Sequence, residues 1–198
     1  MSEKKKPVEI VAKTTDRKDA IKSIIDKYKI KIIENEPTPK VKPITSVSEY
    51  IGKNKEMLSS IGLFLSDPAN ATAVGLAANQ VSCNDKRITD NFFMIKQNMA
   101  AESGFDIIFN PEITEKRGIP TKKYEVCLTW ADKFVVVDRQ PFIVVSYQDM
   151  TGTRHEGTVI TGFEAEVWQH EIDHLNGIKE NLIDKKDRPK DVNIKIGR

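Results

Sequence analysis

A chain of 198 residues, 39% hydrophobic and 30% charged, is long enough for one substantial core and short for two domains. No apolar run approaches the roughly 20 residues that span a bilayer, and a formal net charge of +2 lacks the basic excess of a dedicated nucleic-acid binder. Two cysteines, Cys83 and Cys127, are too few for a disulfide framework and point to free or metal-bound thiols in a reducing compartment. The expectation is therefore a cytoplasmic protein with neither DNA nor membrane as a partner.

The opening MSEKKKPVEI has a basic cluster without an apolar core behind it, and Glu3, Glu9, Asp16 and Asp19 argue against an organelle transit peptide. In TDRKDAIKSIIDKYK, Ile21, Ile24, Ile25 and Tyr28 stand at helical spacing among charges, which predicts a short amphipathic helix after a loose tail. The proline-rich ENEPTPKVKPIT cannot continue a helix and reads as an extended connector. A second helix follows. Ser46 and Glu49 form a capping-box signature, and Val47, Tyr50, Ile51, Leu58, Ile61 and Leu65 repeat on one face until Asp67-Pro68.

From about residue 73 to 160 the pattern changes to short apolar or β-branched runs, FFMIK, FDIIFN, KFVVVD and FIVVSYQD, divided by turn residues. The last run, the turn around Met150 to Gly152, and RHEGTVI predict a hairpin. A closing helix is expected at about 162 to 176. Thr161 and Glu164 write its capping box, and Asn176-Gly177 supply left-handed residues to end it. The remaining KKDRPKDVNIKIGR is polar and interrupted by Pro189.

The closing helix contains WQHEIDHLNG, an HExxH sequence. His170 and His174 lie one turn apart, so both imidazoles project from one face and can share a metal. Glu171 between them stands where a carboxylate can take a proton from water and pass it to a leaving amine. A catalytic site of this kind needs a third protein ligand and an open position. Two candidates remain: Glu180, which would mimic the last position of metzincin proteases, and Cys127 in YEVCLTW. The third histidine, His155, reads as a surface residue of the hairpin, and Cys83 as an inert thiol.

Three stretches resemble, in order and rough spacing, the motifs of peptide deformylases: GLAANQ at 75–80, EVCLT at 125–129 and QHEIDHLNG at 169–177. FNPEI at 109–113 adds to the likeness, which covers roughly residues 40 to 183. The resemblance implies an α+β fold, with antiparallel sheets packed around a central HExxH helix. It divides the chain into an N-terminal extension (1–30), a catalytic domain (31–185) and a polar tail (186–198). It implies a metal-dependent hydrolase that removes the formyl group from the N-terminal formyl-methionine of new polypeptides. Cys127, His170 and His174 would be the metal ligands and Glu171 the general base. Gln80 and the backbone N–H of Leu128 would stabilise the oxyanion. Val74, Gly75, Val126, Phe163 and Val167 would bind substrate, with Gly75 allowing close backbone approach. Glu125 would orient a ligand imidazole. Fe²⁺ is the ion implied, and the Cys/His/His set also accepts Zn²⁺, Ni²⁺ or Co²⁺. The partners implied are formyl-methionyl nascent peptides; separately, the lysine-rich N-terminal part could make a weak electrostatic contact with ribosomal RNA, or be a solvated tail.

Four positions depart from the family pattern: Ala73 and Val126 stand where glycines are usual, Thr129 replaces serine, and Glu166 occupies a normally apolar wall of the methionine pocket. Val126 could exclude a positive φ or narrow the channel, and a buried Glu166 would need a partner. Two other readings stand beside the first: an HExxH metalloendopeptidase with Glu180 as third ligand, and a metal-containing peptide-binding module that has lost turnover.

Overall fold

The computed structural model describes residues 26, 29–67, 70, 72–97, 104–187 and 189. Apart from Asp26, the amphipathic helix expected near 21–28 lies outside them, as does nearly all of the polar tail. No helix among the described residues is long and apolar enough to cross a membrane.

The run FFMIK forms a strand, β5 (Phe92–Lys96), in which every residue is buried. Side chains alternate across a strand, so an unbroken apolar run means that both faces of the sheet are covered. Phe92 and Met94 join the core built on the helix α1 (Val47–Leu65), with Leu58, Ile61 and Leu65. Phe93 and Ile95 join a second core on the opposite face, built on the helix α2 (Gly162–Leu175), with Trp168, Ile172 and Leu175. Phe93 packs edge-on against Trp168, ring centroids 5.0 Å apart.

The strand β5 is the fourth of five in an antiparallel sheet. Its partners are β6 (Phe105–Arg117) and β2 (Gly75–Ala77), and β9 (Phe142–Gln148) and β10 (Arg154–Thr161) complete the order β10-β9-β6-β5-β2. The expected hairpin is the β9–β10 pair, closed by Asp149 N–H to Thr153 O at 3.1 Å. His155 is more than an idle surface residue there: its Nε2 lies 2.7 Å from Asp149 Oδ2, and its ring stacks on Tyr147. In β6 the register against β9 shifts between Phe109 and Glu112. Pro111 has no N–H to give the ladder, and Asn110 takes φ 47° while its side chain bonds Ile44 and Gln148.

Two three-stranded antiparallel sheets flank this one. The first joins β1 (Lys31–Ile32), β3 (Val81–Cys83) and β4 (Lys86–Arg87); the second joins β7 (Thr121–Glu125), β8 (Lys133–Arg139) and β11 (Leu182–Asp184). Both helices begin within a residue of the positions read from sequence, but neither capping box forms: Ser46 and Thr161 occupy the N-cap positions in extended conformation without a side-chain cap bond. At the end of α2 only Gly177 is left-handed (φ 65°), while Asn176 stays right-handed. A Cβ on Gly177 would lie 2.7 Å from Lys40 N, so the proline-rich connector runs against the end of α2 through a gap that only glycine leaves.

Candidate metal centre

Two elements bring the candidate metal-binding side chains together. The helix α2 projects His170 and His174 from one face, their rings 4.8 Å apart and nearly perpendicular. Cys127 follows the end of β7 and leads into a single 3-10 turn, Leu128–Trp130, closed by Trp130 N–H to Cys127 O. Cys127 Sγ lies 3.3 Å from His174 Nε2, which lies 3.2 Å from His170 Nε2, and all three donor atoms fall within 4.8 Å of one another. Among the described residues this is the one cluster of three or more His, Cys, Asp or Glu side chains close enough to hold a metal ion.

Each imidazole has its other nitrogen occupied on the far side. His170 Nδ1 meets Glu125 Oε2 at 2.8 Å. Glu125 in turn receives two bonds from Arg139, each 2.8 Å, and Arg139 also binds Asp173 on the helix. Arg139 is 3% exposed, so a buried fork holds β7 and α2 at a fixed separation. His174 Nδ1 faces Thr38 Oγ1 at 3.4 Å and Glu180 Oε1 at 3.3 Å, the latter without hydrogen-bond geometry. Thr38 donates to His174 O at 2.9 Å, Asn79 Nδ2 to the same oxygen at 2.6 Å, and Val41 N–H to Leu175 O at 2.9 Å. The carbonyls that a helix end leaves orphaned are thus satisfied from the connector and from the turn after β2.

Glu171 is buried beside the cluster, with Oε2 lacking a protein partner. Gly75 makes room for it: a Cβ there would lie 2.5 Å from Glu171 Oε1. Gln80, also buried, accepts from Ala77 N–H and points its Nε2 at Cys127 Sγ (3.4 Å) and Thr129 Oγ1 (3.2 Å). The cluster opens into a cavity of about 1270 Å³ lined by Val74, Gly75, Gln80, Val126, Cys127, Leu128, Phe163, Val167, His170 and Glu171. All the residues expected to touch substrate therefore share one wall system with the cluster.

The charges are strongly coupled. Burial alone would raise the Cys127 thiol, but hydrogen bonds with His170 and then His174 outweigh it and bring it down to about 5. Burial would lower His174, yet its contacts with Cys127 and Glu180 lift it to about 9; His170 is raised well above the usual imidazole value by Cys127 and Glu125. Glu125 overcomes burial through Arg139 and then His170, reaching about 2. For Glu171 burial prevails and the carboxyl is raised.

The model of the family described as polypeptide deformylase matches residues 6–190. The chain belongs to the peptide deformylase family. It is 32% identical over 152 residues to the peptide deformylase of Thermotoga petrophila, covering 76% of this chain and 83% of the relative. The crystal structure of the Thermotoga maritima enzyme superposes with a TM-score of 0.57 at 32% identity, covering 76% of this chain and 92% of that one. That of Legionella pneumophila gives 0.60 at 27% identity, with 74% and 80% covered. Members of this family are metal-dependent hydrolases that remove the N-formyl group from nascent polypeptides.

The donor chemistry fits a divalent ion. A thiolate and two imidazoles, with both Nε2 atoms turned inward and both Nδ1 atoms engaged outward, could hold such an ion and leave a position open. Glu180 is not part of that set, because it faces the Nδ1 side of His174 while the cluster gathers on the Nε2 side. Val126 is not among the residues with positive φ, so its β-branched side chain sits without backbone strain, 38% exposed at the cavity wall. Glu166 has the partner it requires, Lys123, at 2.8 Å. The sequence reading missed Arg139, Asp173, Thr38 and Asn79. Arg139 alone left a trace: it stands in phase with Val135 and Val137 on the buried side of β8, where a charge demands partners.

Proposed function

We propose that this chain hydrolyses the N-formyl amide of polypeptides that begin with formyl-methionine, releasing formate, with Cys127, His170 and His174 holding one divalent ion. The observation that carries the reading is the convergence of Cys127 Sγ and the two Nε2 atoms beside a buried carboxylate with one unpartnered oxygen, at the wall of an open cavity. Fe²⁺ is the ion proposed, with Zn²⁺, Ni²⁺ or Co²⁺ as substitutes; when bound it polarises the formyl oxygen and acidifies water.

The protein groups divide the remaining work. Glu171, raised by burial and standing free at Oε2, takes a proton from the attacking water and gives it to the departing amine. Gln80 Nε2 and the N–H of Leu128 donate to the oxygen as it becomes an oxyanion. Gln80 is preorganised for this, since Ala77 N–H fixes its Oε1 and so the direction of its amine. Arg139 and Glu125 hold the His170 ring by its Nδ1–H, leaving Nε2 as the inward lone pair. The strand β2 is the last of its sheet, and its outer edge beside Val74 and Gly75 offers main-chain groups to an extended peptide.

No observation favours the endopeptidase reading with Glu180 as ligand. A binding module without turnover would require a blocked channel, and the cavity remains open past Val126 and Glu166. We place the protein in the cytoplasm, where nascent chains are met, with any ribosome contact made weakly through its lysines.

The test is formate release from formyl-Met-Ala-Ser by protein purified anaerobically and loaded with Fe²⁺ or Ni²⁺. Turnover that is lost in Glu171→Gln and Cys127→Ala supports the assignment; a folded, metal-loaded wild type that releases no formate refutes it.

A further inference from the structure

Lys123 and Glu166 meet in the cavity wall, Nζ to Oε1 2.8 Å, with side chains 31% and 22% exposed. The two elements that build the metal centre also set their place. Glu166 precedes His170 by one turn of α2, about 6 Å along the axis. Lys123 precedes Glu125 by two residues on β7, about 6.6 Å along the strand and on the same face. The Lys123–Glu166 pair is therefore the next rung outward from the Glu125–His170 pair. Phe163, Val167 and Val74 make the surrounding wall apolar. An amide held at the metal centre places the side chain of its own residue within reach of this rung.

We infer that the Lys123–Glu166 pair is a specificity element for a long, unbranched, neutral side chain that ends in a polar group, so that formylated peptides beginning with glutamine or methionine sulfoxide are substrates beside formyl-methionine. This deepens the deformylase reading above and rests on it.

The chemistry follows from hydrogen-bond capacity. An ammonium has three donors and the ion pair engages one; the carboxylate likewise keeps acceptor sites free. A primary amide answers both partners, its oxygen to Lys123 and its NH₂ to Glu166. A sulfoxide oxygen answers Lys123. The thioether of methionine offers neither bond but is flexible and polarisable enough to lie against the pair. A wholly apolar chain of the same length strips water from the pair and returns nothing. Charged side chains are repelled by one partner or the other. The consequence is that an initiator methionine oxidised to the sulfoxide would remain open to deformylation.

The experiment compares kcat/KM of the metal-loaded full chain for formyl-X-Ala-Ser, with X as methionine, glutamine, methionine sulfoxide or norleucine. The wild type is expected to take glutamine and the sulfoxide within about 10-fold of methionine, and norleucine less well than methionine. In the double variant Lys123→Met/Glu166→Leu, the glutamine and sulfoxide peptides lose at least about 10-fold through KM while norleucine improves. The single variant Lys123→Met removes the donor but keeps Glu166, so the sulfoxide peptide should lose at least about 10-fold relative to methionine, and it serves as the test if the double variant does not fold. Formyl-methionine turnover with glutamine and sulfoxide more than about 100-fold poorer in the wild type, or with ratios unmoved in both variants, overturns this inference alone. No formate from any of the four peptides overturns the deformylase reading and this inference with it.

Discussion

Replacing Arg139 by methionine tests whether the buried fork organises the centre. The Arg139 side chain is 4% exposed, and those of its partners Glu125 and Asp173 are 14% and 23% exposed. Methionine fills much of the volume but leaves two carboxylates facing each other in a poorly hydrated space. Breaking a buried pair from one side costs about 3–5 kcal/mol, because the surviving charge stays desolvated. Glu125 keeps His170 and Asp173 is the more exposed, so about 3 kcal/mol is expected, which for a chain of this size lowers Tm by roughly 6–12 °C. Glu125 still meets His170 but is no longer anchored by the fork, so the imidazole is held less firmly and metal affinity should fall about 10- to 100-fold. The assays are urea unfolding of the metal-free protein and chelator competition of the loaded one. Arg139→Lys keeps the charge without the fork and should fall between the two. Combining Arg139→Met with Glu125→Gln should cost less than the sum of the single changes by about 1 kcal/mol or more. A methionine variant within about 0.5 kcal/mol of wild type, with unchanged metal affinity, would refute the reasoning.

Gly75→Ala drives a Cβ to 2.5 Å from Glu171 Oε1, and displacing a positioned base by such a distance should lower kcat about 100-fold with little change in KM; a kcat within a factor of three or so of wild type would contradict that role. Gly177→Ala combines a left-handed backbone with a contact of 2.7 Å on Lys40 N, so urea unfolding should show a loss of about 2–4 kcal/mol. Tyr50 donates to Asp90 Oδ2 at 3.0 Å, and burial first and Asp90 second push its phenol far upward from 10. A folded-state value above the unfolded one gives stability that is present in full below about pH 10 and lost as pH rises beyond it. The stability gap between wild type and Tyr50→Phe should therefore narrow above roughly pH 10, and a constant gap in pH-dependent urea titrations would exclude the contribution.

The local periodicities were legible because each is written in a few neighbouring residues. The closing helix and the β9–β10 hairpin appear where the spacing put them. FFMIK reads as a strand, but its two cores become apparent only when both helices are in place. Capping signatures failed because a cap depends on the side chain's rotamer, and nothing in the residue order dictates that. The choice between Cys127 and Glu180 stayed open in sequence because it turns on which nitrogen of His174 each faces, a matter of tertiary packing. Gly75 was read as clearance for a peptide; that its missing Cβ also leaves room for Glu171 shows only in the packed structure. Thr38 lies in no motif, and Asn79 lies in GLAANQ without a role that the residue order reveals; both matter through an oxygen 136 and 95 residues away.

That oxygen, His174 O, has a consequence for how the protein comes into being. The connector that grips it is made early in synthesis, and the helix that supplies it is made late, so the two ends of the contact enclose most of the chain. Closing so long a loop is entropically slow and gains little until both partners exist. The centre is therefore expected to assemble in one step, only after α2 has been synthesised, and firm retention of metal by a growing chain would report that α2 has emerged and docked.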